Sequence, residues 1–337
     1  MDKSVSKRKK RTKRLFLAIL MILFTAVVLT ASTYAWFTSN RTVTVSQIDV
    51  NVAAANGLQV SVDGINWKTI INNNDITGAG TTYSAAVNQL PSSTYSIVPT
   101  STIGAIDSTT GFMNMYKGEI TSNALGNYIL TATKTTETHS TTTGDFIVFD
   151  LFFQTNQDTA VYLTSNSNVV ALNTSTGIEN ASRVAFVPQG HADTGATTAT
   201  IQALKNDGTV APIIWEPNYD VHTAAAVMNA SDVYGITTTQ TGGSRLTYVG
   251  VKAAIADSAN IPLNSTDNTY FGAVTPTIAT TASGIPTTAY QQVFSLVAGT
   301  TKMRIYMWVE GQDVDCENNA SGGSLSYNLQ FSTLSAA

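Results

Sequence analysis

Apolar residues recur at every second position in short stretches along the whole chain, and this spacing is what most limits the fold. Residues 325–331 alternate Leu325, Tyr327, Leu329 and Phe331 with Ser, Asn and Gln. A period of two turns one face of an extended strand inward and the other outward. The segment therefore predicts a half-exposed antiparallel strand near the end of the chain. Residues 302–309 (KMRIYMWV) put Met303, Ile305, Met307 and Val309 on one face and Tyr306 and Trp308 on the other. Residues 145–153 (DFIVFDLFF) are nearly all apolar, as in a strand covered on both faces. Between 41 and 52 the alternation slips phase after Val45 and resumes at Ile48, which predicts a bulge. Leu58, Val60 and Val62 run into Asp63-Gly64, a hairpin signal whose return strand would start at Ile65 and Trp67. Residues 161–163, 184–187 and 246–251 are further short strands.

Helix signals are few. The Ala-rich stretches 81–90, 223–230 and 249–259 predict short helices, and the Thr/Gly/Pro-rich stretches 135–144, 189–200 and 275–289 predict surface loops. Charged residues make up only 12% of the chain, against about 25% in an ordinary soluble domain. Thr, Ser and Asn take their place, and β-branched Thr suits strands. The expected architecture is all-β, a β-sandwich or jelly-roll-like body with a few short helices. The strongest strands lie near 50, 150, 305 and 328, which fits one domain assembled from distant segments over 36–337.

The first 35 residues differ from this body. Eight of the 18 Lys and Arg residues fall between Lys3 and Arg14, and an uncharged apolar run occupies 15–35. A basic n-region followed by such a run predicts export, with 1–14 cytoplasmic and 15–35 a signal or transmembrane helix. Thr33 and Ala35 supply small residues for cleavage between Ala35 and Trp36 by a signal peptidase. Without cleavage, Tyr34 and Trp36 would form an interfacial aromatic belt. From Trp36 onward there are 10 basic against 21 acidic residues, with no basic stripe, so nucleic acid is not an expected partner. Cys316 is the single cysteine. It excludes an intramolecular disulfide framework and reads as a partly buried thiol, leaving stability to a packed core.

Catalytic motifs are missing. There is no HExxH, no GxSxG after a strand and no phosphate-binding glycine loop. His139, His191 and His222 sit in polar or Ala/Thr-rich stretches and read as solvated loop residues. An enzyme would need His191 or His222 beside carboxylates in a cleft, and the chain reads as non-enzymatic. Trp67, Trp215 and Trp308 lie in or beside apolar runs and read as core residues, with sugar stacking as the other use. One acidic cluster stands out: Glu310, Asp313, Asp315 and Glu317, with Gly311 and Asn318 among them. Calcium takes six to eight oxygen ligands, and loops of this composition can wrap it. The plainer reading is a polar hairpin loop joining the 302–309 and 325–331 strands. Beyond calcium, no cofactor is expected.

The stretch Ser32-Thr33-Tyr34-Ala35-Trp36-Phe37-Thr38 at the end of the apolar run resembles the processing region of the TasA/camelysin family, exported proteins matured by a SipW-type signal peptidase. Residues 49–64 (DVNVAAANGLQVSVDG) and 304–316 (RIYMWVEGQDVDC) resemble related surface proteins of Firmicutes or Mollicutes. The resemblance implies a jelly-roll fold, secretion, assembly into biofilm-matrix fibres, and Ala35 and Trp36 as the processing pair. It carries no protease activity, because the chain lacks a zinc motif. The alternation in 36–52 agrees with self-association: a strand donated to the sheet of the next subunit would build a fibre. In the other reading that strand pairs within its own chain, and the protein is a monomeric, membrane-anchored adhesin or glycan- or ligand-binding module.

Overall fold

The computed structural model describes residues 42–337, apart from 54–56, 88–89, 91–95, 123–127, 139–142, 173–175, 257–266, 318–321 and 335–337. Strand far outweighs helix among the described residues. In chain order the strands are β1 (Val43–Ala53), β2 (Gln59–Ser61), β3 (Ile70–Asn72), β4 (Ser96–Ile97), β5 (Thr100–Ser101) and β6 (Met115–Ser122). There follow β7 (Tyr128–Thr135), β8 (Ile147–Thr155), β9 (Thr159–Leu163), β10 (Asn168–Ala171), β11 (Ser182–Ala192) and β12 (Ile213–Glu216). The last six are β13 (Tyr248–Val251), β14 (Phe271–Val274), β15 (Ile278–Ala279), β16 (Gln291–Leu296), β17 (Gly299–Val309) and β18 (Ser324–Ser332). Three short helices interrupt them: α1 (Asn73–Gly78), α2 (Thr198–Gln202) and α3 (Ala224–Tyr234).

Two large sheets face one another. One has the order β16-β9-β18-β1-β3, with β10 beside β18 and β4 beside β1; the other runs β15-β12-β11-β17-β8-β2. Between them lies the principal core. It takes Val45, Ile48 and Val50 from β1, Leu325, Leu329 and Phe331 from β18, Phe149, Leu151 and Phe153 from β8, and Met303, Ile305 and Met307 from β17. Phe331 meets Phe153 edge to face, with centroids 5.3 Å apart and an interplanar angle of 88°, the favoured aromatic geometry. The odd-numbered residues of 303–309 thus fill this core, while Tyr306 and Trp308 enter a second core on the other face of the sheet. Val148 and Val187 join them there, against Met115 of β6, Tyr248 of β13 and Val274 of β14. The β5-β6-β7 and β13-β14 sheets therefore form a further layer, which explains why β8 and β17 carry apolar residues on both faces.

Several expectations hold and several need correction. The slip in β1 is a register shift between Val45 and Gln47. Residues 145–153 hold most of β8, buried on both faces. β18 does alternate, but it runs parallel to β1 and antiparallel to β9 and β10. No turn chemistry links β1 and β18, which come from opposite ends of the chain, so sequence alone could not orient them. β1 is hydrogen-bonded to β18 along one edge and to β3 and β4 along the other; the strand pairs within its own chain.

Asp63-Gly64 makes a wider turn than expected. The Asp63 carboxylate accepts from the Ile65 and Asn66 amides, both at 2.8 Å, and from Thr82 Oγ1 at 2.7 Å. Strand pairing resumes only at Lys68, bonded in both directions to Val60, and Ile65 is exposed.

Of the helix expectations, 223–230 is α3, which runs on to Tyr234. Gly235 ends it in the left-handed conformation at φ 65°, where glycine lacks the Cβ penalty. Residues 249–259 instead begin in β13, and the described part of 81–90 is a turn downstream of α1. That short helix starts at a capping box of Asn72 and Asp75, a polar signal outside the Ala-rich window. Removing the Thr223 cap of α3, whose hydroxyl accepts from the Ala226 amide at 3.0 Å, is expected to cost about 1 kcal/mol. Urea denaturation of Thr223→Ala checks this.

Among the described residues no helix is long and apolar enough to cross a membrane. The apolar run 15–35, the processing pair Ala35 and Trp36, and His139 lie outside them.

Candidate functional site

The acidic segment after β17 is not a hairpin loop. β17 and β18 belong to different sheets, so the chain must cross between them, and the described residues 310–317 are buried. The Glu310 amide donates to Ala181 O at 2.8 Å and the Gly311 amide to Thr100 O at 2.9 Å. Asn229 of α3 donates to Val314 O at 3.0 Å. Glu310, Asp313, Asp315 and Glu317 are consequently all buried.

Buried charges persist only when paired or bonded, and each of the four has its own protein partner. Glu310 accepts from Trp308 Nε1 at 3.0 Å and the Gln312 amide at 3.1 Å. Asp313 pairs with Arg183. Asp315 Oδ2 lies 2.7 Å from His222 Nδ1. Thr223 Oγ1 donates to Glu317 at 3.3 Å. Among the described residues no three His, Cys, Asp or Glu side chains come close enough together to hold a metal ion.

His222 is therefore no solvated loop residue. Its place just before the Thr223 cap of α3 carries it inward onto Asp315. Burial opposes its protonation, but the Asp315 bond and charge outweigh burial and hold the imidazole above its ordinary value. Burial likewise pushes the Asp315 carboxyl up, reinforced by Asp313 and opposed by His222. His191 is half-buried, with Nδ1 3.4 Å from Thr301 Oγ1. Trp215 and Trp308 are core residues, and Trp67 is partly buried.

Beside the His222–Asp315 pair a cavity of ≈ 160 Å³ opens between β12, α3, β13 and the crossing segment. Tyr219, Tyr234 and Tyr248 give it aromatic walls, Leu246 and Val249 add apolar surface, and Glu216, Asp313 and Asp315 supply carboxylates. Behind it Arg183 bonds Glu216 Oε1 at 2.7 Å as well as Asp313, and its guanidinium stands 5.4 Å from the Tyr248 ring centre. Burial raises the Glu216 carboxyl, with Arg183 pulling the other way.

The chain matches no family model, no curated protein and no solved structure among those compared.

Of the expected site residues, the fold brings Asp313 and Asp315 to this cavity and leaves Glu310 and Glu317 behind it. Arg183, Glu216 and the three tyrosines were not singled out from sequence. One signal was present: an Arg in the apolar run of β11 and a Glu ending the apolar run of β12 are isolated charges in buried strands, and such charges need each other.

Glu310 also sets a pH response. Burial pushes its carboxyl up to about 7 against the bonds from Ser101 and Trp308. The folded state then keeps a proton that the unfolded chain loses near its ordinary 4.5. The contribution is present below that value and fades as pH rises through 7. Stability should fall by about 2 kcal/mol between pH 5 and 8, and Glu310→Gln should flatten the slope. Parallel urea-denaturation profiles for the two proteins would refute this.

Proposed function

We propose that the chain is an exported cell-surface protein whose β-rich body is a binding module for a small ligand, held in the cavity between β12, α3, β13 and the segment after β17. The observation carrying this reading is the cavity itself, where aromatic and apolar walls meet a few convergent polar groups, the usual make-up of a ligand site. His222 beside Asp315 in this cavity is the arrangement an enzyme would need, so turnover is the second reading beside binding.

Export is supported by the basic run before the apolar 15–35 segment and by the resemblance of residues 32–38 to the TasA/camelysin processing region. N-terminal sequencing of native protein tests it: a start at Trp36 marks cleavage, and an intact leader in the membrane fraction marks an anchor. Recovery of intact protein from cytosol removes the export reading.

Fibre assembly by donation of 36–52 has less support, because β1 already has partners on both edges in its own chain. The outer strands of the six-stranded sheet, β15 and β2, are only two and three residues long, and short edges resist edge-to-edge growth. Light scattering of the mature protein should report monomers, with native mass spectrometry showing a retained small molecule. Filaments under electron microscopy would restore the fibre role.

A further inference from the structure

We propose that the ligand of this cavity is a small organic cation, a protonated amine on an apolar body about the size of one aromatic ring. The inference rests on the binding-module reading and specifies its ligand chemistry. Three observations carry it.

The first is the set of unmet bonds. Asp315 is 2% exposed and Glu216 4%, yet Asp315 Oδ1 has no hydrogen-bond partner and Glu216 Oε2 meets only Arg245 Nε, at 3.4 Å. Both residues line the cavity. A buried acceptor left without a donor is costly, so a ligand that brings N–H donors gains what the empty site forgoes. Two of the three tyrosine hydroxyls are already engaged elsewhere. Tyr234 donates to Gln312 Oε1 at 3.2 Å and Tyr248 to Thr102 O at 3.3 Å.

The second is charge. Glu216, Asp313 and Asp315 all line the cavity. Arg183 is divided between Glu216 and Asp313, Arg245 reaches Glu216 only at 3.4 Å, and Asp315 has the His222 imidazole alone. Three lining carboxylates thus face two guanidiniums. An anion would be repelled, while a cation would complete the pairing.

The third is the walls. Tyr219, Tyr234 and Tyr248 line it, and aromatic rings attract cations, as the Tyr248 ring already does the Arg183 guanidinium at 5.4 Å; Leu246, Val249 and Ile236 suit an apolar body. A cavity of ≈ 160 Å³ is of the size that accepts benzene in other proteins.

The test is calorimetric titration of the purified mature chain with benzylammonium, benzyl alcohol and benzoate, three probes of one shape and different charge. Benzylammonium should bind, benzyl alcohol about tenfold or more weakly, and benzoate not at all. Asp315→Asn should erase the preference for the amine. Since that variant can also disturb folding, Leu246→Trp provides the second arm: it fills the cavity, leaves every carboxylate in place and should abolish binding of all probes. Benzyl alcohol or benzoate binding as well as the amine would overturn the cation inference while leaving a small-ligand module standing. Failure of all three probes would remove both. Amine binding that survives Leu246→Trp would place the site elsewhere and equally overturn the inference.

Discussion

Asp150→Ala should destabilise the domain by about 3–5 kcal/mol, the cost of leaving buried charges without their partner. Few domains have more than 5–15 kcal/mol in total, so the variant is expected to be unfolded or nearly so at 37 °C. Asp150 is wholly buried in β8, opposite Arg304 of β17. Arg304 grips it through Nε at 2.8 Å and Nη2 at 3.3 Å. Lys302 stands 3.4 Å away and Tyr83 donates to it at 3.0 Å. Alanine would strand two buried cations. Lys302 keeps bonds to Gln202 O and Leu204 O, but these carbonyls bring no countercharge.

The pH dependence separates this mechanism from simple loss of packing. Burial works against ionisation of Asp150, but Arg304 and Lys302 outweigh it and hold the carboxyl below its ordinary 3.8. The stabilisation is complete above that ordinary value and is lost as pH falls through the lower folded one. Wild type should therefore show an acid limb beginning below about pH 4, and Asp150→Asn should lack much of it. Replacing the whole group at once, by Asp150→Leu with Lys302→Met and Arg304→Met, should recover most of the loss, because well-packed apolar groups can match a buried ion cluster. A triple variant less stable than Asp150→Ala would contradict this account.

The same two strands show how far the sequence could be read. The apolar density of 145–153 and the alternation of 302–309 announced β8 and β17, because burial on both faces leaves no place for polar residues in such runs. Each run nevertheless contained charges: Asp150 in one, Lys302 and Arg304 in the other. They were the only hint that the strands are neighbours, since charge in a doubly covered strand requires a partner across the ladder. Local patterns carried the bulge in β1 and the helix at Thr223 for the same reason, each being decided within a few residues. The parallel pairing of β1 with β18 was illegible, because nothing local distinguishes a strand's neighbour when no hairpin joins them. The cavity was illegible too. Its residues come from β12, α3, β13 and the segment after β17, and His222 and Asp315 are 93 positions apart. The acidic segment looked solvated on composition alone. It is buried because crossing between two sheets forces it under α3, where each carboxylate acquires a separate partner.

Arg183→Met should cost a similar 3–5 kcal/mol, with the opposite response to acid. The side chain is 1% exposed. Its Nη1 donates to Asn180 O at 3.1 Å and Ser182 O at 2.9 Å, and its Nη2 serves both Glu216 and Asp313. Those carboxylates raise an already basic group still further against the pull of burial, so Arg183 is charged at every accessible pH. Methionine preserves much of the volume and removes the charge, leaving Glu216 buried with only the longer Arg245 contact. Burial already raises the Glu216 carboxyl in the presence of Arg183; without it the rise must be larger. An acid whose folded value is raised favours the folded state at low pH and loses that contribution as pH climbs. The deficit of Arg183→Met relative to wild type should therefore be greatest near pH 8 and shrink towards pH 5 in urea denaturation, whereas the deficit of Asp150→Ala should not shrink over that range. Arg183→Lys retains the charge but loses the planar fork that reaches two carboxylates and two carbonyls together, and should fall between the two. An equal loss for Arg183→Met at both pH values would mean that the guanidinium acts through its packing against Tyr248 and not through the carboxylates it joins.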